Sequence, residues 1–456
     1  MSEFGNGRSE SPISSAQPQV EAHTQWQTLT WQGVESVAKP LLHELEDNSG
    51  TVTREKLAQA VRDPSITGEQ AQVLAGLYGE FAQITRLPGG DGSTISDQSL
   101  TALQQKLYDS EKRAYDLIGL DHWTKSHFAQ LDKDYGSKGY LTRSDVTAAA
   151  ARASGPDSEM LQQLGNEFSH IAGGSADHMT PENVRQYLGR YIAKDFKFTT
   201  TFEKMMDRAG QAERFSPDLF SDSGNPTRSI NAKGVNQGPM MRDCNFNAPL
   251  SSLAQLRPGD VTSVISKDDD GSYTVRFPGA DHAVRVPAPT YAEQGIYDGA
   301  SPMGIWSAVL EEAYGQLKLD SDPAMRMKNL LPQEAIDQPA PLVDAIKTLT
   351  GHDAEEKVLM YMNKKEVTDI LQQSLNGSPP KIVTLGSGSP LKEGTTKDGF
   401  PLNHGFSVLS FKPDGGSDGQ VVIRDTWGAG GKNDDGIYTI SVQQLQANFY
   451  DIAYEK

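Results

Sequence analysis

From about Gln25 to Asp195 apolar residues recur at helical spacing, as in Leu41, Leu42, Leu45 and Val73, Leu74, Leu77, Phe81. Ala, Leu, Gln and Glu fill the positions between, so the pattern predicts helices almost throughout. Four polar turns interrupt them: Asp47-Asn-Ser-Gly-Thr-Val52-Thr, Gly90-Asp-Gly-Ser-Thr-Ile95-Ser, Lys138-Gly-Tyr-Leu141-Thr and Ser175-Ala-Asp-His-Met179-Thr. Each places Gly or polar residues before one apolar residue, then Thr or Ser, then a new helix. The apolar markers Val52, Ile95, Leu141 and Met179 recur at intervals of roughly 40 residues, the mark of an internal repeat. From Phe196 to Asn236 Asp, Ser, Pro, Gly and Asn cluster, which predicts an irregular linker. Beyond it the pattern is mixed. Helix-like segments open at Cys244 and cover Ile305 to Leu317, while Ser272–Phe277, Phe406–Phe411 and Gln420–Arg424 alternate or carry β-branched runs, as strands do. The first residues are rich in Ser, Gly, Pro and Gln and read as a disordered tail. The expected division is therefore a tail over 1–25, a helical domain over 26–195, a linker and entry segment over 196–235, and a mixed domain over 236–456.

A chain of 456 residues has room for two or three domains with real cores. Its 60 acidic against 42 basic residues give a net charge of -18, which argues against nucleic acid as the main partner. No apolar stretch approaches the roughly 20 residues of a membrane-crossing helix, so no membrane insertion is expected. The N-terminus has no apolar core of the kind a Sec signal peptide needs. One cysteine and no such signal fit a reducing cytoplasm, and leave open export by a route that reads a disordered N-terminus.

That single cysteine, Cys244, can form no internal disulfide and cannot supply a multi-cysteine metal site. It is either a small buried hydrophobe or a nucleophile. A nucleophile needs a base, a group that orients the base, and donors for an oxyanion. Of the histidines that follow, His282 lies in a polar turn and His352 at a helix end, both expected at the surface. His404 stands at the mouth of a strand, and a second strand ends at Asp425 about twenty residues on. Adjacent strands would present the two side by side, with Cys244 brought by a separate helix. The N-terminal dipole of that helix favours negative charge on the sulfur.

Six blocks in order across 237–449 are similar to the catalytic core of the calpains, intracellular cysteine proteases of the papain-like clan. Gln237-Gly with Asp243-Cys244 resembles the family's Gln-Gly-x-x-Gly-Asp-Cys-Trp. Ile305-Trp-Ser-Ala-Val-Leu-Glu-Glu-Ala-Tyr314, Ile346-Lys-Thr-Leu-Thr-Gly351, His404-Gly-Phe-Ser-Val408 and Arg424-Asp-Thr-Trp-Gly428 match further blocks. Asp435-Gly-Ile-Tyr438 with Phe449 matches the last. The helical repeat resembles an array of EF-hands in two pairs. The resemblance implies an α+β fold: a papain-like core with a helical cysteine lobe and a β-sheet lobe for His and Asp, behind an all-α EF-hand-like domain.

Carried over by position, Cys244 is the nucleophile, His404 the general base, and Asp425 stands where the family has Asn. Gln237 donates to the oxyanion and Trp427 shields the His404–Asp425 contact. There are departures. Gln237 lies seven residues before the cysteine rather than six, so Pro239–Arg242 must bulge, and Asn245 replaces a Trp. No cofactor is expected to be required. The family's calcium positions match poorly: Gly234, Gly431, Ile437 and Tyr438 stand at most of them, leaving Asp435. Among the loops the first has Leu45 and Lys56 at its terminal ligand positions, and the third offers Asp132, Asp134 and Asp145 with about two residues too many. The resemblance implies limited cleavage of protein substrates, with the helical domain free to hold a protein partner. Two other readings stay open: a calpain-fold binding protein without activity, and a papain-fold effector that deamidates side chains.

Overall fold

The computed structural model describes residues 31–456 apart from 47–49, 174–176, 216, 300, 328–329, 339, 389–393, 416–417 and 429–434. The expected tail over 1–25, parts of the first and fourth turns, and Gly431 lie outside the described residues. The first half is helical: α1 (Trp31–Leu45), β1 (Val52–Thr53), α2 (Arg54–Val61), α3 (Gly68–Gly79), α4 (Phe81–Ile84), β2 (Thr94–Ile95), α5 (Asp97–Asp134), β3 (Leu141–Thr142), α6 (Arg143–Ala150), α7 (Pro156–Ala172), β4 (His178–Met179), α8 (Pro181–Lys194) and α9 (Lys197–Arg214). The four apolar markers are all buried and pair two by two, Val52 with Ile95 and Leu141 with Met179, in two-residue antiparallel ladders. The Thr or Ser beside each marker caps the next helix. Thr53, Ser96, Thr142 and Thr180 accept the backbone N–H of Lys56, Ser99, Asp145 and Asn183, satisfying donors that a helix start leaves free.

Helix α9 is a correction to the expected irregular linker over 196–235. Phe198, Phe202, Met205, Met206 and Ala209 share one buried face at helical spacing. A run of three threonines and charged residues between them obscure this stripe in the sequence. Tertiary packing makes it a helix: Gly76 and Gly79 on α3 have no side chain, and Phe202 and Met205 lie against them.

The second half contains α10 (Cys244–Leu256), α11 (Pro258–Val264), β5 (Ile265–Lys267), β6 (Tyr273–Val275), β7 (Val284–Val286), α12 (Tyr291–Ile296), α13 (Trp306–Ser321), α14 (Pro323–Arg326), α15 (Leu342–Thr350), β8 (Ala354–Val358), α16 (Lys364–Leu375), β9 (Val383–Ser387), β10 (His404–Pro413), β11 (Gly419–Asp425), β12 (Ile437–Ser441), α17 (Val442–Asn448) and β13 (Asp451–Glu455). A six-stranded antiparallel sheet runs β12-β11-β10-β9-β13-β8, and β5–β7 form a separate three-stranded sheet. The mixture of helix and antiparallel sheet is of the α+β class. No helix among the described residues is long and apolar enough to cross a membrane.

Four apolar cores follow. One gathers α10, α13, α15 and the small sheet around Trp306, Phe246 and Tyr314. A second lies on the six-stranded sheet around Phe406, Ile423 and Leu445. A third holds α6–α8 and the far end of α5. The remaining core unites α1–α4, the start of α5 and α9 with Met241, Ala292, Ile296, Tyr297 and Leu331 of the second half. The first helical pair is thus packed into the second half of the chain, whereas the second pair keeps a core of its own.

Candidate active site

Helix α10 lies between the helical lobe and the six-stranded sheet, against α15 on one side and β9 and β10 on the other. Phe246, Leu250, Leu253 and Ala254 bury its faces. The Ser252 hydroxyl pins it to the sheet, lying 2.9 Å from the Val383 carbonyl and 3.1 Å from that of Val408. Cys244 is its first residue and keeps partial exposure. The sheet brings the partners. Phe406 pairs with Asp425 across β10 and β11, so His404, two residues before Phe406, lies on the same side of β10 and beside the Asp425 end of β11.

His404 Nε2 is 2.8 Å from Asp425 Oδ1. Cys244 lies by the ring as well and, after Asp425, is among the groups that favour its charged form. Trp427 stacks on the imidazole at 4.2 Å between ring centres, and its backbone N–H donates to the same Asp425 oxygen at 2.9 Å. The histidine side chain is almost wholly enclosed. Burial works against its charged form, yet the hydrogen bonds to Asp425 and Cys244 outweigh it and carry the pKa up to about 10. The ring is therefore an imidazolium at neutral pH, set between a carboxylate and a sulfur.

The backbone holds this geometry from both sides. Asn403 adopts a left-handed φ of 56° and turns the chain into β10, a conformation Asn tolerates better than most residues. The Ser387 hydroxyl accepts the His404 N–H at 3.2 Å. Gly405 permits close approach of β10 to α10, since a Cβ there would lie 2.8 Å from the Cys244 carbonyl oxygen and 3.4 Å from its Cβ.

Gln237 is buried beside these residues. The extra residue before Cys244 is absorbed by a β-turn, Met241 N–H to Gly238 carbonyl at 3.2 Å, with Pro239 at the position proline favours. Gln237 Nε2 donates across that turn to the Met241 carbonyl at 2.8 Å, and Thr426 Oγ1 donates to Gln237 Oε1 at 2.7 Å. One amide hydrogen of Nε2 is thus engaged within the turn. Asp243, which precedes Cys244, and Glu311 are wholly buried, and burial drives both carboxyls upward. Arg424 reaches in from β11 and donates to the Val235 carbonyl at 2.7 Å.

Residue-pattern reasoning missed Asp298, Glu311, Thr426 and Arg208 as parts of this site. For Arg208 the signal was the overlooked helical stripe of α9; the others gave none.

The calcium candidates are not brought together. Asp132 accepts the Lys138 and Gly139 amides, Asp134 accepts the Gln130 side chain at 2.7 Å, and Asp145 is held by the Lys138 ammonium at 2.7 Å and by the Thr142 amide. Lys138 supplies a resident cation in that loop, so these residues do not fit a calcium ion. Asp435 pairs with Lys233 at 2.7 Å. At 234 a carboxylate has no room, because a Cβ would lie 2.6 Å from the Trp306 ring. Among the described residues the only group of three metal-ligating side chains is His43, Glu46 and Asp97, between α1 and the start of α5. His282 and His352 are exposed, hydrogen-bonded to Asp281 and Glu455 respectively.

No protein-family model matches the chain, and no curated protein matches it either.

Proposed function

We propose that the protein is a calpain-like thiol endopeptidase, with a papain-type two-lobed core and an EF-hand-like helical array in front of it. One observation carries the reading: Cys244, at the start of a buried helix, lies by an imidazole whose Nε2 is held by Asp425 at 2.8 Å under the Trp427 ring. The pairing of the four markers two by two favours the EF-hand-like part of the reading.

The chemistry follows from these groups. Cys244 sulfur attacks a peptide carbonyl while the oxyanion takes the Cys244 amide and the second hydrogen of Gln237 Nε2. The tetrahedral centre collapses as His404 gives its proton to the leaving amine, and a thioester to Cys244 remains. Water then adds to the thioester, His404 takes the proton of that water, and the thiolate leaves as the carboxylate product forms. Asp425 keeps the ring oriented and stabilises its positive charge throughout. Calcium enters none of these steps.

The test is alkylation and cleavage. Cys244 should react fast with iodoacetamide near neutral pH, and Cys244→Ala should abolish cleavage of casein. Sluggish labelling, or cleavage unchanged in Cys244→Ala, would sink the reading. A mass gain of about one dalton on an intact substrate would instead mark a deamidase.

A further inference from the structure

Arg208 stands on α9, in the helical half of the chain, yet its guanidinium lies in the other half. Nη2 donates to the carbonyls of Asn236 at 2.8 Å and Tyr297 at 2.5 Å. Nε is shielded from solvent with no hydrogen-bond partner, and the charges of the buried Asp298, Glu311 and Asp243 favour the charged guanidinium against the cost of its burial. Gly299 makes the room: a Cβ there would run into the guanidinium.

The segment that Arg208 grips is the one that carries Gln237. The Asn236 N–H donates to Asp298 Oδ1 at 2.7 Å, its carbonyl also accepts the Gly299 N–H at 3.0 Å, and Gln237 N–H donates to the Thr426 carbonyl at 2.9 Å. Arg424 Nη2 holds the Asn236 side chain at 3.3 Å. The Asn236–Gln237 backbone is thereby stretched between β11 and α9. Helix α9 is itself fixed on α3 and α12, where Gly295 brings α12 against the Met205 carbonyl and Ala209.

We infer that Arg208 is a positioning residue of the thiol site: the helical half, through α9, holds Gln237 where its amide serves the oxyanion. This rests on the endopeptidase reading for its catalytic part, and on geometry alone for the tether. Removing the guanidinium leaves the Tyr297 carbonyl without a partner and frees Asn236 on one side, so Gln237 drifts while Cys244 and His404, held by α10 and β10, do not.

The experiment uses the full chain with Arg208→Met, Arg208→Lys and Gly299→Ala; the last displaces the guanidinium by one methyl without removing it. On a cleavable peptide, Arg208→Met should lose about 100-fold or more in kcat with KM changed less than about threefold, the pattern for a lost oxyanion donor. Alkylation of Cys244 by iodoacetamide, which needs no oxyanion donor, should stay within about twofold of the parent. Arg208→Lys should recover part of the kcat, since it keeps the charge and loses the fork. Amide hydrogen exchange at Gln237 and Gly299 should quicken about tenfold or more in Arg208→Met and Gly299→Ala, with the β10–β11 ladder unchanged. A kcat retained in Arg208→Met, or kcat and alkylation falling together, overturns the positioning role. Unchanged exchange at both amides overturns the tether, whatever the activity. A parent chain that shows no thiol-dependent cleavage overturns the endopeptidase reading and the catalytic part with it, while the exchange result still decides the tether.

Discussion

The imidazolium of His404 sets the expected pH response. Its folded pKa of about 10 lies above the ordinary histidine value of about 6.5. A raised value means the contact stabilises the fold fully below about pH 6.5 and ceases to do so as pH rises through about 10. The alkaline limb of kcat/KM should follow the same group, because the leaving amine needs its proton. Asp425→Asn keeps an oxygen for Nε2 and removes the charge. It should cost about tenfold or less in kcat/KM and move the alkaline limb to lower pH, read from pH–rate profiles of both chains. Neighbouring backbone positions give a second prediction. Gly405→Ala must part β10 from α10 at the Cys244 carbonyl, so it should destabilise by about 1–3 kcal/mol and slow Cys244 alkylation. Asn403→Gly should be near neutral and Asn403→Ala should cost roughly 1–2 kcal/mol in urea unfolding, because only the former accepts φ of 56° freely.

Among the elements, α9 separates a helix from a linker most sharply. Phe202 is wholly buried between α9 and α3. Phe202→Ala should destabilise the protein by about 3–5 kcal/mol, measured by chemical unfolding, whereas a truncation in an irregular linker would cost next to nothing. Strand β11 was legible because Val421 and Ile423 alternate with Gln420 and Val422, and β10 from its apolar run Phe406–Phe411, which a register shift after Val408 interrupts; their ends place His404 and Asp425 together. Helix α10 opens at Cys244, where a helix-like segment was expected. Helix α9 was not legible, since its stripe ends in Met and Ala and becomes decisive only against the bare surface of Gly76 and Gly79 on a distant helix.

Across the whole molecule, α5 is a 38-residue helix, roughly 57 Å long, that starts in the core shared with the second half and ends in the core of the second helical pair. Two cooperative units are expected. Leu164→Ala, wholly buried in the second pair, should lower one thermal transition by the equivalent of about 2–5 kcal/mol and leave Cys244 alkylation untouched. Leu74→Ala, in the shared core, should lower the transition that carries the site. With Lys138 seated on Asp145, millimolar calcium or chelator should shift neither transition in calorimetry.

Local chemistry in the chain determined the helices and their Ser and Thr caps, the pairing markers, the strand ends at His404 and Asp425, and the helix that opens at Cys244. These depend on residues close together in sequence, where periodicity and capping act. Only the tertiary structure decided that the division between helical array and mixed half is bridged by a common core. It also decided that Asp145 pairs with Lys138 and Asp435 with Lys233, that Asp132 accepts loop amides, and that Arg208 reaches the backbone beside Gln237. Those outcomes depend on which surfaces meet across more than a hundred residues of chain, and on glycines whose only signal is the space they leave.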